Sequence, residues 1–312
     1  MDEILYVPTY PPADAKIEVL ARERHCGGLC ATALVAGARL GARCVYAGAL
    51  GRDEDSRFVL ETMRHESINV RHAVHREEAA PVRSVIVVDP TRQTRNIFYD
   101  AHQAFGADPK APAEKLILSA RVLLVDRFGV LGMIRAARLA RAAGIPVVAD
   151  FESSHPPRFA ELLALADHLI VSGNFACHLT GARSPAAAAA KLWRKDRRVV
   201  VTTCGARGCW FLDHAGGTLR HLPAFPVKAV DTTGCGDVFH GAYATALARG
   251  MELTDRLIFA SAAAALKATR RGGQAGIPTF AQVRSFLRAS GGPPRLSCRR
   301  ELIQRRRPAE RK

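Results

Sequence analysis

Val122-Leu123-Leu124-Val125, Pro146-Val147-Val148-Ala149, His168-Leu169-Ile170-Val171 and Val199-Val200-Val201-Thr202 are the runs on which the fold turns. Each is a short apolar stretch of strand character, and residues 131–143, 159–166 and 186–195 between them carry helical patterns. Buried apolar strands alternating with amphipathic helices predict a parallel sheet covered on both faces. Ligands of such sheets lie at the carboxyl ends of the strands.

Upstream the rhythm differs. Residues 16–23 and 82–99 are strand-like, residues 85–88 are β-branched, and Asp89-Pro90-Thr91 reads as a hairpin turn. These two regions are expected to form a small sheet of their own. Between them the pattern predicts an Ala-rich helix over 30–40, a short strand over 42–48 and a second helix over 56–65.

A chain of 312 residues can hold one large core, or a major domain with a small accessory one. With 48% hydrophobic and 24% charged residues, wholesale disorder is excluded. The formal charge of +16 invites a nucleic-acid reading. Its distribution argues against one: residues 295–312 carry eight basic side chains against Glu301 and Glu310, and the remaining excess is spread thinly. A solvated Arg-rich surface with a basic tail accounts for this pattern. The eight cysteines form no C-x-x-C pair and no tight periodic framework, so free thiols in a reducing cytosol are expected and zinc is not. No signal-peptide pattern and no apolar stretch of about 18 residues is present.

The stretch Ala229-Val230-Asp231-Thr232-Thr233-Gly234-Cys235-Gly236-Asp237-Val238-Phe239-His240-Gly241-Ala242 carries the chemistry. Gly234 and Gly236 let the backbone fold tightly and turn its amides into one concavity, where a helix beginning near Asp237 adds its positive dipole end. Such amides stabilise the charge that collects on a migrating phosphoryl group. Asp237 beside them could accept the proton of an attacking hydroxyl. Asp is also a favoured N-cap, so the same residue could serve only to start the helix.

D-T-T-G-C-G-D followed by F-x-G-A closely resembles the second signature of the PfkB carbohydrate kinases, with Cys235 where Ala is commoner. The first signature is similar to Gly27-Gly28-Leu29-Cys30-Ala31-Thr32, continuing through Arg39-Leu40-Gly41-Ala42 to Gly48-Ala49-Leu50-Gly51-Arg52-Asp53. Thr203-Cys204-Gly205-Ala206-Arg207-Gly208 looks like the family's T-x-G-x-x-G turn, although glycine turns are common and this one could be purely structural. The stretch from Leu266 to Pro278 resembles the loop near the adenine. Together with D-V-F-H-G-A, it is most like the sulfofructose kinase branch. The resemblance runs to about residue 287.

It implies a ribokinase-like three-layer α/β/α sandwich, with a mostly parallel central sheet and a small β-sheet lid. The kinase domain would occupy 1–290, with lid strands at about 4–24 and 82–100, and 291–312 would be a disordered basic tail. The implied activity is that of a phosphotransferase with an alcohol acceptor, moving the γ-phosphoryl of ATP to a ketose, sugar phosphate or sulfosugar. Carried over residue by residue, Gly234, Cys235 and Gly236 form the anion hole and Asp237 is the base. Asp2, Gly27 and Gly28 meet the sugar, and Thr203, Gly205 and Gly208 approach the nucleotide. For Asp2, a disordered terminus is the competing expectation. Mg2+ is implied with ATP, and a monovalent cation such as K+ near Asp231. Pairing of two lids suggests a homodimer. The alternative is a catalytically impaired sugar- or nucleotide-binding sensor or partner subunit of the same fold.

Three departures stand out. Most members begin with a buried strand before the early Asp, and this sequence starts one residue before Asp2; either another segment substitutes for the strand or the true start lies upstream and the sheet is truncated, and the second is expected. Where relatives carry N-x-x-E before Leu179-Thr180-Gly181, this chain has Ser172 and Phe175, with Asn174 as a partial substitute. Thr32 stands where ribokinases usually have Asn, which weakens a specific claim for ribose. His25 with Cys26 and His178 with Cys177 lack zinc-finger spacing, and ordinary packing is expected of both pairs. His240, about one turn from Asp237, is expected to be packed or exposed, and Arg127 to lie on the surface.

Overall fold

The computed structural model describes residues 1–92, 94–213 and 217–290, together with the backbone of 297–298. The first third contains β1 (Asp2–Tyr6), β2 (Ala21–His25), α1 (Leu29–Arg39), β3 (Gly48–Leu50), α2 (Glu54–His65), β4 (Val74–His75), β5 (Arg83–Asp89), β6 (Thr94–Asp100) and β7 (Gly106–Ala107). Four of these make a small sheet in the order β2-β1-β5-β6, with β1 parallel to β5 and the other pairs antiparallel. Its hairpin is closed by Asp89, whose carboxylate accepts the amides of Thr91, Arg92 and Tyr10. This is the local bonding that makes Asp a turn residue. The strand expected from residue 16 begins at Ala21, and Asp2 lies within β1, paired with His25 on one side and Ser84 on the other. Its place in a strand removes the alternative of a disordered terminus.

The rest comprises α3 (Glu114–Leu118), β8 (Leu123–Val125), α4 (Val130–Ala142), β9 (Val147–Phe151), α5 (Phe159–Leu165), β10 (His168–Ser172), α6 (Gly173–Thr180), α7 (Pro185–Leu192), β11 (Val199–Thr203), β12 (Cys209–Asp213), β13 (Arg220–Leu222), α8 (Cys235–Ala248), α9 (Leu253–Ala268), α10 (Phe280–Ala289) and β14 (Ser297–Cys298). The main sheet runs β14-β13-β12-β11-β10-β9-β8. Strands β8 to β11 are parallel, as the apolar runs predict, and β12 to β14 extend the sheet antiparallel. Of the expected basic tail, 291–312, only β14 falls within the described residues.

Successive side chains of a strand point to opposite faces, so a doubly covered sheet needs apolar residues at every position. Val148, Ile170 and Val201 pack on one face with Val35 of α1, Tyr243 of α8 and Leu257 of α9. Val147, Ala149, Leu169 and Val200 pack on the other with Ile134 of α4, Leu162 of α5 and Leu192 of α7. Burying each Val, Leu or Ile side chain contributes about 1.5–3 kcal/mol, which is why the four runs are so rich in these residues. The result is the expected α/β/α sandwich with a lid.

One feature was not legible in the patterns. The strand expected over 42–48 is displaced to Gly48–Leu50 and joins a separate sheet, β4-β3-β7. β8 ends the main sheet, and a cavity reaches between Val45, Tyr46 and Ala47 on one side and Leu123 and Leu124 on the other.

Candidate active site

The loop before α8 is built by three local interactions. Gly234 is the N-cap of α8 at φ 75°, a left-handed conformation that costs side chains with a β-carbon about 1–2 kcal/mol. A β-carbon there would also stand 2.9 Å from the carbonyl oxygen of Gly273. Asp231 ties this loop to its neighbour: Oδ1 accepts the amide of Thr233 at 2.8 Å and Oδ2 that of Gly272 at 2.9 Å. The amides of Asp231 and Val230 in turn reach the carbonyl of Ala268 at the end of α9.

Three amides were expected to face an anion. In the structure the amide of Cys235 donates to the carbonyl of Thr232 at 3.2 Å, because the chain makes a tight turn to enter the helix. Among the described residues the amides of Gly234 and Gly236 have no main-chain acceptor. These two, with the dipole of a 14-residue helix behind them, are the free donors.

Asp237, in the first turn of α8, lines a cavity of about 730 Å³ together with Gly234, Asp2, Gly27 and Gly28. Asp2 packs so closely on Gly27 that a β-carbon at 27 would collide with its carboxylate. The walls also include Asp126, Arg127, Glu152 and Ser153 from the carboxyl ends of β8 and β9, and Arg95 from the lid. Arg127, expected on the surface, lies against the cavity instead. Its guanidinium stacks over Phe128 at 4.3 Å and meets Glu152 at 3.3 Å.

Crowding of carboxylates sets the electrostatics. Burial, and then the charges of Asp150, Glu152, Asp2 and Asp126, hold the Asp237 carboxyl well above the usual carboxylate range. Burial pushes Asp150 up to about 6, with Asp126 and Glu152 adding to the shift and His240 opposing it. Asp126 is raised by burial too, although it accepts the amide of Phe128 at 2.8 Å. The carboxylates on this wall can accept from hydroxyl donors, and burial leaves Asp237, Asp150 and Asp126 stronger bases than they would be in water.

His240 is buried at 3% exposure, which agrees with the packed alternative. Nδ1 lies 2.8 Å from the carbonyl of Gly236, and Nε2 lies 2.9 Å from that of Ile170. Asp150 Oδ2 stands 3.2 Å from Nδ1 and makes no hydrogen bond among the described residues.

Other expected site residues lie elsewhere. Thr203 ends β11, and Gly205 and Gly208 sit in the turn after it, closed by bonds from Cys204 to Gly208 (2.7 Å) and from Gly208 to Gly205 (2.9 Å). They occupy the same carboxyl-end edge of the sheet but do not line the cavity. At the altered N-x-x-E position, Ser172 caps α6 by accepting the amide of Phe175, and Phe175 is buried. Neither offers a carboxylate. Among the described residues no group of three His, Cys, Asp or Glu side chains has metal-binding geometry. Magnesium is compatible with that, since it keeps several waters and takes one or two carboxylates plus phosphate oxygens. Asp126 and Glu152 on the cavity wall could supply them. The monovalent cation expected near Asp231 does not fit. Lys267 Nζ already lies 2.9 Å from the Asp231 carbonyl oxygen, and both carboxylate oxygens accept amides.

Asp126, Asp150, Glu152 and Lys267 were missed as site residues. A usable signal existed for the first three, since all fall at or just after the carboxyl end of a parallel strand.

Residues 1–280 match the family model described as pfkB family carbohydrate kinase. The chain is 28% identical over 292 residues to the bifunctional ribokinase/ribose-5-phosphate isomerase A of Fructilactobacillus sanfranciscensis, covering 89% of this chain and 53% of that protein. It therefore spans about half the length of that relative. With the ribokinase of Haemophilus influenzae it shares 28% identity over 295 residues, 92% of this chain and 95% of the other. Among solved structures, a provisionally named ribokinase from Agrobacterium tumefaciens superposes with a TM-score of 0.85 at 28% identity, over 92% of this chain and 94% of that one.

Proposed function

The chain belongs to the pfkB family of carbohydrate kinases, and from that premise we propose that it transfers the γ-phosphoryl group of ATP to a sugar hydroxyl, with Asp237 as the general base. The observation that carries this reading is the placement of the Asp237 carboxyl at the mouth of α8. It stands beside the free amides of Gly234 and Gly236, in the cavity that Asp2, Gly27 and Gly28 also line. The acceptor oxygen would bond to the γ-phosphorus as the bridging oxygen leaves with ADP, and its proton would pass to Asp237. The two amides and the helix dipole would stabilise charge on the phosphoryl oxygens. Asp126 and Glu152 on the cavity wall would hold magnesium, which would supply positive charge against the phosphates. Asp2 would orient the sugar by accepting from its hydroxyls.

Arg127 and Arg95 on the cavity wall support an acceptor with an anionic group, a sugar phosphate or sulfosugar, over a neutral ketose. The D-V-F-H-G-A stretch supports the sulfofructose kinase branch in particular. For the nucleotide, the turn at Thr203, Gly205 and Gly208 is the proposed neighbour, since it shares the carboxyl-end edge of the sheet. A homodimer through the lid is supported by Ile97, Phe98 and Tyr99 of β6, which are 50–63% exposed.

A specific observation favours a second reading, an impaired sensor of the same fold: Ser172 and Phe175 leave no carboxylate where relatives carry N-x-x-E. A panel of ketoses, sugar phosphates and sulfosugars with Mg-ATP separates the two, with coupled ADP detection and the phosphorylated product identified by mass. Sugar-dependent ADP release with a matching product supports the kinase. Calorimetric binding of sugar or ATP without transfer over long incubation supports the sensor and overturns the kinase. Within the panel, faster turnover of neutral than of anionic sugars would overturn the role given to the two arginines.

A further inference from the structure

Lys267, in the last turn of α9, is fully buried. A buried ammonium needs a partner, and its Nζ donates to the main-chain carbonyl of Asp231 at 2.9 Å, with Asp231 Oδ2 at 4.0 Å. The negative end of the α9 dipole lies beside it. Asp231 is the hub of the phosphate loop: its two carboxylate oxygens hold the amides of Thr233, one residue before Gly234 with its free amide, and of Gly272, one residue before the Gly273 that packs on Gly234. All three oxygens of Asp231 thus face N–H donors, and one of those donors carries a full positive charge. A bare monovalent ion needs several oxygens of its own and would stand against that charge.

We infer that the Lys267 ammonium is a built-in cation that holds the Asp231 hub in place of a bound monovalent ion, so this chain works without potassium. This rests on the kinase reading for its effect on turnover, but not for its effect on the loop. Lys267 is not among the residues that line the cavity; it is a positioning residue acting through Asp231 and the Gly234 loop. Its charge is supplied by the chain itself, so the loop would be set before ATP arrives whatever salt surrounds it.

The test compares wild type with Lys267→Met and Lys267→Gln in KCl, NaCl and tetramethylammonium chloride at equal ionic strength. Thermal unfolding and turnover with Mg-ATP are both read. The wild type is expected to unfold at the same temperature in all three salts and to turn over at rates within about two-fold, because no site is left for an ion to fill. The variants are expected to lose stability and activity in tetramethylammonium and to regain part of both in KCl, as the ion enters the vacated place. A tenfold activation of wild type by K+, or a K+-specific rise in its melting temperature, overturns the inference. So does a variant impaired equally in every salt, since that is the behaviour of a lysine needed only for packing. If neither variant folds, the wild-type salt comparison still decides. Absence of turnover with every sugar would sink the kinase reading while the unfolding series continues to test Lys267.

Discussion

Replacing Asp237 by Asn keeps the shape of the side chain and the course of α8 while removing the proposed proton acceptor. A positioned general base contributes about 10²–10⁴ in rate, equivalent to roughly 3–5 kcal/mol of barrier at 1.36 kcal/mol per factor of ten. The effect on folding has the opposite sign. In the folded chain, burial and the charges of Asp150, Glu152, Asp2 and Asp126 raise the Asp237 carboxyl above its ordinary value. Below the ordinary carboxylate pKa, both folded and unfolded chains hold this proton and the group is neutral to stability. As pH rises past about 4 the unfolded chain releases the proton first, so the wild type loses stability until the folded-state pKa is reached. The uncharged amide of the variant carries no such penalty. Asp237→Asn is therefore expected to lower kcat at least a hundredfold while its melting temperature at pH 7.5 equals or exceeds that of wild type. The gap should close as pH approaches 4. Coupled ADP detection and a pH series of thermal unfolding provide the measurements. A kcat within three-fold of wild type would refute the role of Asp237, and a markedly lower melting temperature would refute the electrostatic account.

Asp150→Asn removes one of the charges that raise Asp237 and is expected to move the acid limb of the kcat/KM profile to lower pH; movement to higher pH would contradict the assigned sign. Gly234→Ala forces a β-carbon into a left-handed conformation against the Gly273 carbonyl, and should lower the melting temperature by about 2–8 °C and kcat with it. An unchanged melting temperature would show that the loop tolerates the substituent. His240→Leu removes the ring that stands 3.2 Å from the buried Asp150 carboxylate and should cost about 3–5 kcal/mol, whereas adding Asp150→Leu should recover part of the loss. Strict additivity of the two in denaturant titrations would rule out the pairing.

The alternation of apolar runs from residue 122 to 202 gave the parallel strands β8 to β11 nearly at their observed limits, because uniform burial leaves a simple mark on the sequence. The β5–β6 hairpin was equally legible, since Asp89 forms the turn with its own neighbours. The strand predicted over 42–48 was not, because its pairing is with residues 74 and 107, far along the chain. At the site, the Gly234 turn and the start of α8 were readable from Thr233-Gly234-Cys235-Gly236-Asp237. The diversion of the Cys235 amide to Thr232 was not, as it depends on the curvature with which the loop enters the helix.

The sequence by itself determined the layered α/β architecture, the tight turn at Gly234 and the chemical type of the candidate base, all of which depend on residues within a few positions of one another. Only the tertiary structure decided how strong that base is and what steadies the loop beside it. Asp2, Asp126, Glu152 and Asp237 come from separate elements and line one cavity, with the buried Asp150 adding charge that raises Asp237. Lys267 reaches Asp231 across 36 residues of chain. Electrostatic fields add over distance in space rather than along the chain, so their sum at Asp237 and Asp231 exists only once the sheet and its covering helices have assembled.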